Sequence, residues 1–177
     1  MTNKLLFFVL LALCFSGCDM LETHPYDVHI TGERELTNKN IQLIENKMQS
    51  KKTIRFAMIS DTQRWYNSTE DVVKALNARG DIDFVIHGGD QSDFGVTKEF
   101  IWMRDIFNKF QMPYVCLLGN HDCLGTGEDA YRAIYGDPNF AFTAGNVRFI
   151  CLNTNAMEYD YSEPVPDFNF IENELNN

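Results

Sequence analysis

Histidine is scarce in this sequence: there are four, His24, His29, His87 and His121, and none follows His121. Cysteine is also sparse and odd in number. Of five, Cys14 and Cys18 sit near the amino terminus, and the remaining Cys116, Cys123 and Cys151 cannot all pair within one chain. No cysteine spacing reads as a zinc site or a redox pair, and Cys116 and Cys151 fall in apolar runs where a thiol acts as a small hydrophobe. Positive charge is in deficit, with 15 Lys and Arg against 25 Asp and Glu and a formal charge of −10. That balance excludes a non-specific nucleic-acid binder, whose affinity rests on Lys and Arg meeting phosphates, and no nucleic-acid polymer is expected as a partner. The sequence has no internal repeat or low-complexity segment. Its most prominent apolar run, residues 5–13, is too short for a permanent membrane span.

What is present is enough for one core: 177 residues, 45% of them apolar. Lys4 precedes the run Leu5 to Leu13, and the segment ends Cys14-Phe15-Ser16-Gly17-Cys18. This resembles a bacterial lipoprotein signal, which implies that residues 1–17 are removed and Cys18 is lipidated, although Phe15 is unusual at its place. The alternative is an ordinary secretory signal with a free Cys18. Either exports the chain, and the first places it on the periplasmic or outer surface of a bacterial cell, anchored to the membrane. Residues 18–26 then read as a tether.

Residues 27–52 read as an amino-terminal extension, a strand at Asp27-Val28-His29-Ile30 and a helix from Thr37 to Gln49 behind a Thr37 cap. From residue 53 strands and helices alternate. Strands are expected at Ile54–Ile59, Phe84–His87 and Tyr114–Leu118, and helices at Thr69–Arg79, capped by Ser68 or Thr69, and Thr97–Phe110. Such alternation implies parallel pairing through right-handed crossovers, and the apolar strands imply cover on both faces. A short helix near Asp129–Tyr135, a hairpin of Asn139–Thr143 with Val147–Leu152, and a helix from Asp167 complete the pattern.

Each of the three strands ends in polar residues suited to a hard metal: Ser60-Asp61-Thr62-Gln63, Gly88-Gly89-Asp90-Gln91-Ser92-Asp93 and Gly119-Asn120-His121-Asp122. Asp61, Asp90 and Asn120 are spaced one strand, helix, strand unit apart, so they should converge at the carboxyl edge of the sheet, where open α/β sheets bind ligands. Two divalent cations there would neutralise an anionic phosphate in an otherwise acidic protein.

Together these clusters resemble the calcineurin-like metallophosphoesterase family, from Ile54 to the end of the chain. The resemblance implies an α/β fold of two mixed sheets flanked by helices, present here as its amino-terminal part over residues 53–177 with the second sheet incomplete. It implies two divalent ions (Mn, Mg, Fe or Zn), with Asp61 on the first, Asp90 bridging both and Asn120 on the second. Gly89 and Gly119 would let the backbone turn sharply, with Asp93 beside the site. His121 would face the phosphate as general acid or electrostatic clamp, oriented by Asp122; the alternative for His121 is a turn histidine bonded to backbone. The implied activity is hydrolysis of a phosphate ester, as phosphatase or phosphodiesterase, on a phosphorylated small molecule or phosphoprotein.

The sequence departs from the family in two ways. Gln63 stands where the family has histidine, either as an oxygen ligand favouring Mn, Mg or Fe over Zn or as a neighbour touching no metal. The downstream histidines that complete the family's site are missing, so the chain reads as truncated, with weak metal binding and impaired turnover expected. Asn153, Asn155 and Asp160 could reach the cleft, and Trp65, Tyr66 and Tyr159 could line its mouth. The competing expectation is a non-catalytic surface lipoprotein that uses the fold to bind a phosphorylated or other ligand.

Overall fold

The computed structural model describes residues 24–155 and 165–176. The signal segment, Cys18, Tyr159 and Asp160 lie outside the described residues. Five α-helices and five strands follow in the order α1 (Leu36–Met48), β1 (Phe56–Ile59), α2 (Tyr66–Arg79), β2 (Phe84–His87), α3 (Thr97–Phe107), β3 (Tyr114–Cys116), α4 (Gly127–Tyr135), β4 (Phe140–Ala144), β5 (Val147–Cys151) and α5 (Phe168–Leu175), with a 3-10 turn at His121–Cys123. None of these helices is long and apolar enough to cross a membrane.

The strands β1, β2 and β3 form a parallel sheet in that order, in register Phe56 with Phe84 and Val85 with Tyr114. The hairpin β4–β5 is a separate antiparallel sheet, with Phe140 opposite Cys151. Because side chains alternate along a strand, the parallel sheet supplies two cores. Val85, Tyr114 and Cys116 face one way, onto Phe100, Met103 and Phe107 of α3 and Tyr131 and Ile134 of α4. Phe84, Ile86 and Val115 face the other way, onto Ile44 and Met48 of α1 and Phe142 of the hairpin. Phe84 meets Phe142 and Phe149 edge-on at 5.6 and 5.5 Å, a geometry that places ring edges on ring faces. Thus β2 and β3 are buried on both faces as their composition predicts. The edge strand β1 is not: Phe56 and Met58 are 42% and 68% exposed.

Residues 27–30 are not a strand. The segment is an extended strap, held by side chains from elsewhere rather than by a ladder. The Thr97 hydroxyl donates to the Asp27 carbonyl at 2.9 Å, and Arg104 donates to the carbonyls of Thr31 and Glu33 at 2.6 and 3.2 Å. The Thr126 hydroxyl donates to the Tyr26 carbonyl, and the Tyr26 ring fills the space where a side chain on Gly125 would project. Arg104 itself is buried, with Gly32 packed so closely that a Cβ there would lie 2.8 Å from Nη2.

Two expected helix caps are also displaced. Thr37 lies inside α1, which Glu35 enters from a left-handed backbone (φ 56°), and Thr69 lies inside α2, donating to the Trp65 carbonyl at 2.8 Å. Thr and Ser resemble caps in sequence, but a hydroxyl can equally bond a carbonyl within its own helix.

His87 closes β2 beneath the loops. The Gly89 N–H donates to its Nδ1 at 3.2 Å, so the proton sits on Nε2 and is donated to the Thr62 hydroxyl 2.9 Å away. Burial holds its pKa down at about 3, against a partial upward pull from Asp61. The unfolded chain therefore takes up a proton near pH 6.5 that the folded chain refuses. The stabilising contribution of neutral His87 is complete above pH 6.5 and is lost progressively as pH falls toward 3, by about 2–3 kcal/mol at pH 4.5. In His87→Gln this part of the acid slope should vanish. Denaturation midpoints measured from pH 7 to 4.5 that fall in parallel for both proteins would contradict it.

Candidate functional site

Three loops leave the carboxyl ends of β1, β2 and β3, and they are fastened chiefly to one another. The Asp61 N–H donates to the Gly89 carbonyl and the Gln63 N–H to the Asp90 carbonyl, each at 3.1 Å. The second and third loops meet through Asp122. Its Oδ2 accepts the N–H groups of Asp90 and Gly119 at 2.9 and 3.0 Å, and its Oδ1 accepts those of Gln91 and Ser92 at 3.0 and 2.8 Å. Asp122 is fully buried; burial pushes its carboxyl up to about 7 while the backbone donors of Gly119, Ser92 and Asp90 pull the other way.

Asp90 sits where the loops join. Its Oδ1 accepts the His121 N–H at 2.9 Å, and a Cβ on Gly119 would lie 2.1 Å from that same oxygen. A Cβ on Gly89 would strike the Gly119 nitrogen at 2.6 Å, and Gly89 has φ 109°. Both glycines are therefore required by close backbone approach, as their positions before Asp90 and Asn120 suggested. Asp61, Arg64 and Asp90 adopt left-handed backbone at φ 56°, 68° and 62°. For residues with a Cβ this costs about 1–2 kcal/mol each, and such strain collects at functional sites.

Asp61 and Asn120 are exposed, and Gln63 and Asp90 half-buried. The Gln63 Oε1 is a buried acceptor with no hydrogen-bond partner. An orphaned buried oxygen suits a cation, and the candidate set of two carboxylates and two amides suits a hard divalent ion. Among the described residues no three His, Cys, Asp or Glu side chains form a metal-holding group; half of the candidate ligands are amides, Gln63 and Asn120.

The His121 ring is placed by Asp93, and Asp122 makes no hydrogen bond to it. Nδ1 lies 3.0 Å from the Asp93 main-chain carbonyl, which can only accept, so Nδ1 carries a proton; the Asp93 carboxylate is 3.8 Å away. The expected partnership of Asp122 with His121 is thus replaced by Asp93 at the ring and Asp122 beneath the backbone. Asp122 gathers four amides and has no capacity left to steer an imidazole.

Glu99 was missed as part of the site. Its Oε2 accepts the Ser92 hydroxyl at 2.6 Å and the N–H groups of Asp93, Phe94 and Val96 at 3.2, 3.0 and 3.3 Å, bracing the second loop. Its place in the first turn of α3 was the available signal, since an acidic residue there reaches back to orphan amides. Arg64 was also missed. Its Nη2 donates to the Asp93 carboxylate at 2.5 Å, and its guanidinium lies 5.8 Å over the Phe94 ring.

Of the remaining candidates, Asn155 donates to the Leu118 carbonyl at 2.8 Å and so reaches the third loop, whereas the Asn153 carbonyl oxygen accepts from Asn155. Trp65 is 65% exposed, while Tyr66 packs edge-on against Trp102 at 5.8 Å. Cys123 donates to the Gly119 carbonyl at 3.3 Å, and all three described cysteines are free thiols.

Residues 54–174 match the family model described as calcineurin-like phosphoesterase. No curated protein matches the chain.

Proposed function

The chain belongs to the calcineurin-like phosphoesterases, and from that premise we propose that it hydrolyses a phosphate ester using two divalent cations. Asp61 and Gln63 would hold the first, Asn120 the second, and Asp90 both. Bound there, such cations supply Lewis acidity toward the phosphoryl oxygens and make a water more acidic. The chain's own residues do the rest. Asp90 would serve both ions from a fixed place, its N–H donating to Asp122 and its carboxylate accepting the His121 N–H. Asn120 can offer its carbonyl oxygen to metal and its amide to phosphate. His121, with one proton fixed on Nδ1 by the Asp93 carbonyl, gives up its second from Nε2 to the leaving alkoxide.

The observation that carries this reading is the buried Gln63 Oε1 without a hydrogen-bond partner, on a residue whose N–H donates to the Asp90 carbonyl. It favours Gln63 as a ligand, and an all-oxygen set favours Mn, Mg or Fe over Zn. Such a set also grips metal less firmly than one with imidazoles, so slow turnover by this chain is part of the proposal. A second reading, capture of a phosphorylated ligand without turnover, rests on a candidate ligand set half of which is neutral amide, Gln63 and Asn120.

The test is hydrolysis of glycerol 2-phosphate and diethyl phosphate, whose alkoxides need a proton as they leave, by the full chain with added Mn2+. His121→Ala should lower turnover roughly 10²–10⁴-fold, the span of a general acid, without weakening Mn2+ binding. A wild-type protein that binds Mn2+ and cleaves neither ester would favour the second reading.

The setting we propose is extracytoplasmic: a bacterial lipoprotein anchored through Cys18, acting on a phosphorylated small molecule or phosphoprotein. Lys4, the apolar residues 5–13 and the Gly17-Cys18 junction support it.

A further inference from the structure

We propose that Arg64 is a substrate-recognition residue, whose guanidinium leaves Asp93 to grip a non-bridging oxygen of the substrate phosphate. This rests on the site just assigned. The first support is position. Arg64 and His121 approach the same Asp93 oxygen, at 2.5 and 3.8 Å, so the guanidinium and the imidazole stand side by side at the loop junction. The second is charge. In the three loops, residues 60–66, 88–96 and 119–126, Arg64 is the one Lys or Arg, set among Asp61, Asp90, Asp93 and Asp122. An anion approaching these loops meets one permanently charged cation beside the titratable His121, and a guanidinium presents a fork of donors that matches phosphate geometry.

The third support is the backbone. Arg64 is held at φ 68°, a conformation unfavourable for a residue with a Cβ, while its side chain is 65% exposed and reaches back to the buried Asp93 carboxylate. Backbone strain of this kind collects at functional sites. Phe94, 55% exposed, offers the guanidinium a ring face 5.8 Å away.

The experiment is calorimetric titration of phenylphosphonate, which cannot be hydrolysed, into the Mn2+-loaded full chain. Wild type should bind, Arg64→Ala should bind at least about 10-fold more weakly, and Arg64→Lys should recover part of the loss, since it keeps charge without the fork. Mn2+ affinity and the thermal midpoint should be the same in all three. Equal phenylphosphonate affinity in wild type and Arg64→Ala, or no binding by wild type, would overturn the proposal, as would loss of Mn2+ binding in Arg64→Ala. Binding that depends on Arg64 in a protein without esterase activity would sink the hydrolase reading and leave this one standing.

Discussion

Asp122→Ala should destabilise the protein by about 3–5 kcal/mol and lower its melting temperature by roughly 10 °C. The change removes the common acceptor of four backbone N–H groups, those of Asp90, Gln91, Ser92 and Gly119. Each buried donor left without a partner costs about 1–3 kcal/mol, discounted where relaxation admits water. In a domain of this size 1 kcal/mol corresponds to about 2–4 °C. Asp122→Asn should recover little, because its amide nitrogen would face two of the same N–H donors. A melting temperature within about 2 °C of wild type for Asp122→Ala would show that the carboxylate is not what joins the two loops.

Asp90→Asn should leave the fold intact and remove the proposed function. The substitution is isosteric and keeps an oxygen to accept the His121 N–H, so the loop junction survives. It takes away the negative charge that the proposed mechanism shares between two cations. Loss of groups that merely support a ligand costs 10–100-fold in metal affinity or activity, so a shared ligand should cost about 100-fold or more in both. Mn2+ titration alongside ester hydrolysis would read this directly. If Asp90→Asn bound Mn2+ as tightly as wild type, the assignment of Asp90 would be wrong even were the protein active.

The contrast between these residues shows what a sequence can disclose. Asp61, Asp90 and Asn120 were recognisable because each follows an apolar strand and a turn, so local pattern placed all three at one sheet edge. Asp122 was visible as a residue but not in its task, because three of its partners are amides about thirty positions away and backbone groups leave no mark on the sequence. The same holds for Asp93, which steadies His121 through a main-chain carbonyl. The strap at residues 27–30 misled for another reason. Its alternation matches a strand, but its Asp27 carbonyl is taken by Thr97 of α3, and the Thr31 and Glu33 carbonyls just after it by Arg104. The cover predicted on both sheet faces held for β2 and β3, where every residue is buried, and not for β1, whose apolar composition says nothing of its place at an edge.

The manner in which the strap is fastened also sets how the protein answers to force. A pull on residue 24 meets the Thr126 bond at Tyr26 first, the Thr97 bond at Asp27 next, and the Arg104 fork at Thr31 and Glu33 last. Bonds met one after another open singly, each at low load, whereas the ladders of the parallel sheet share load across several bonds at once. Tension from the amino-terminal side would therefore reach these separate bonds before the sheet whose loops carry Asp61, Asp90 and Asn120.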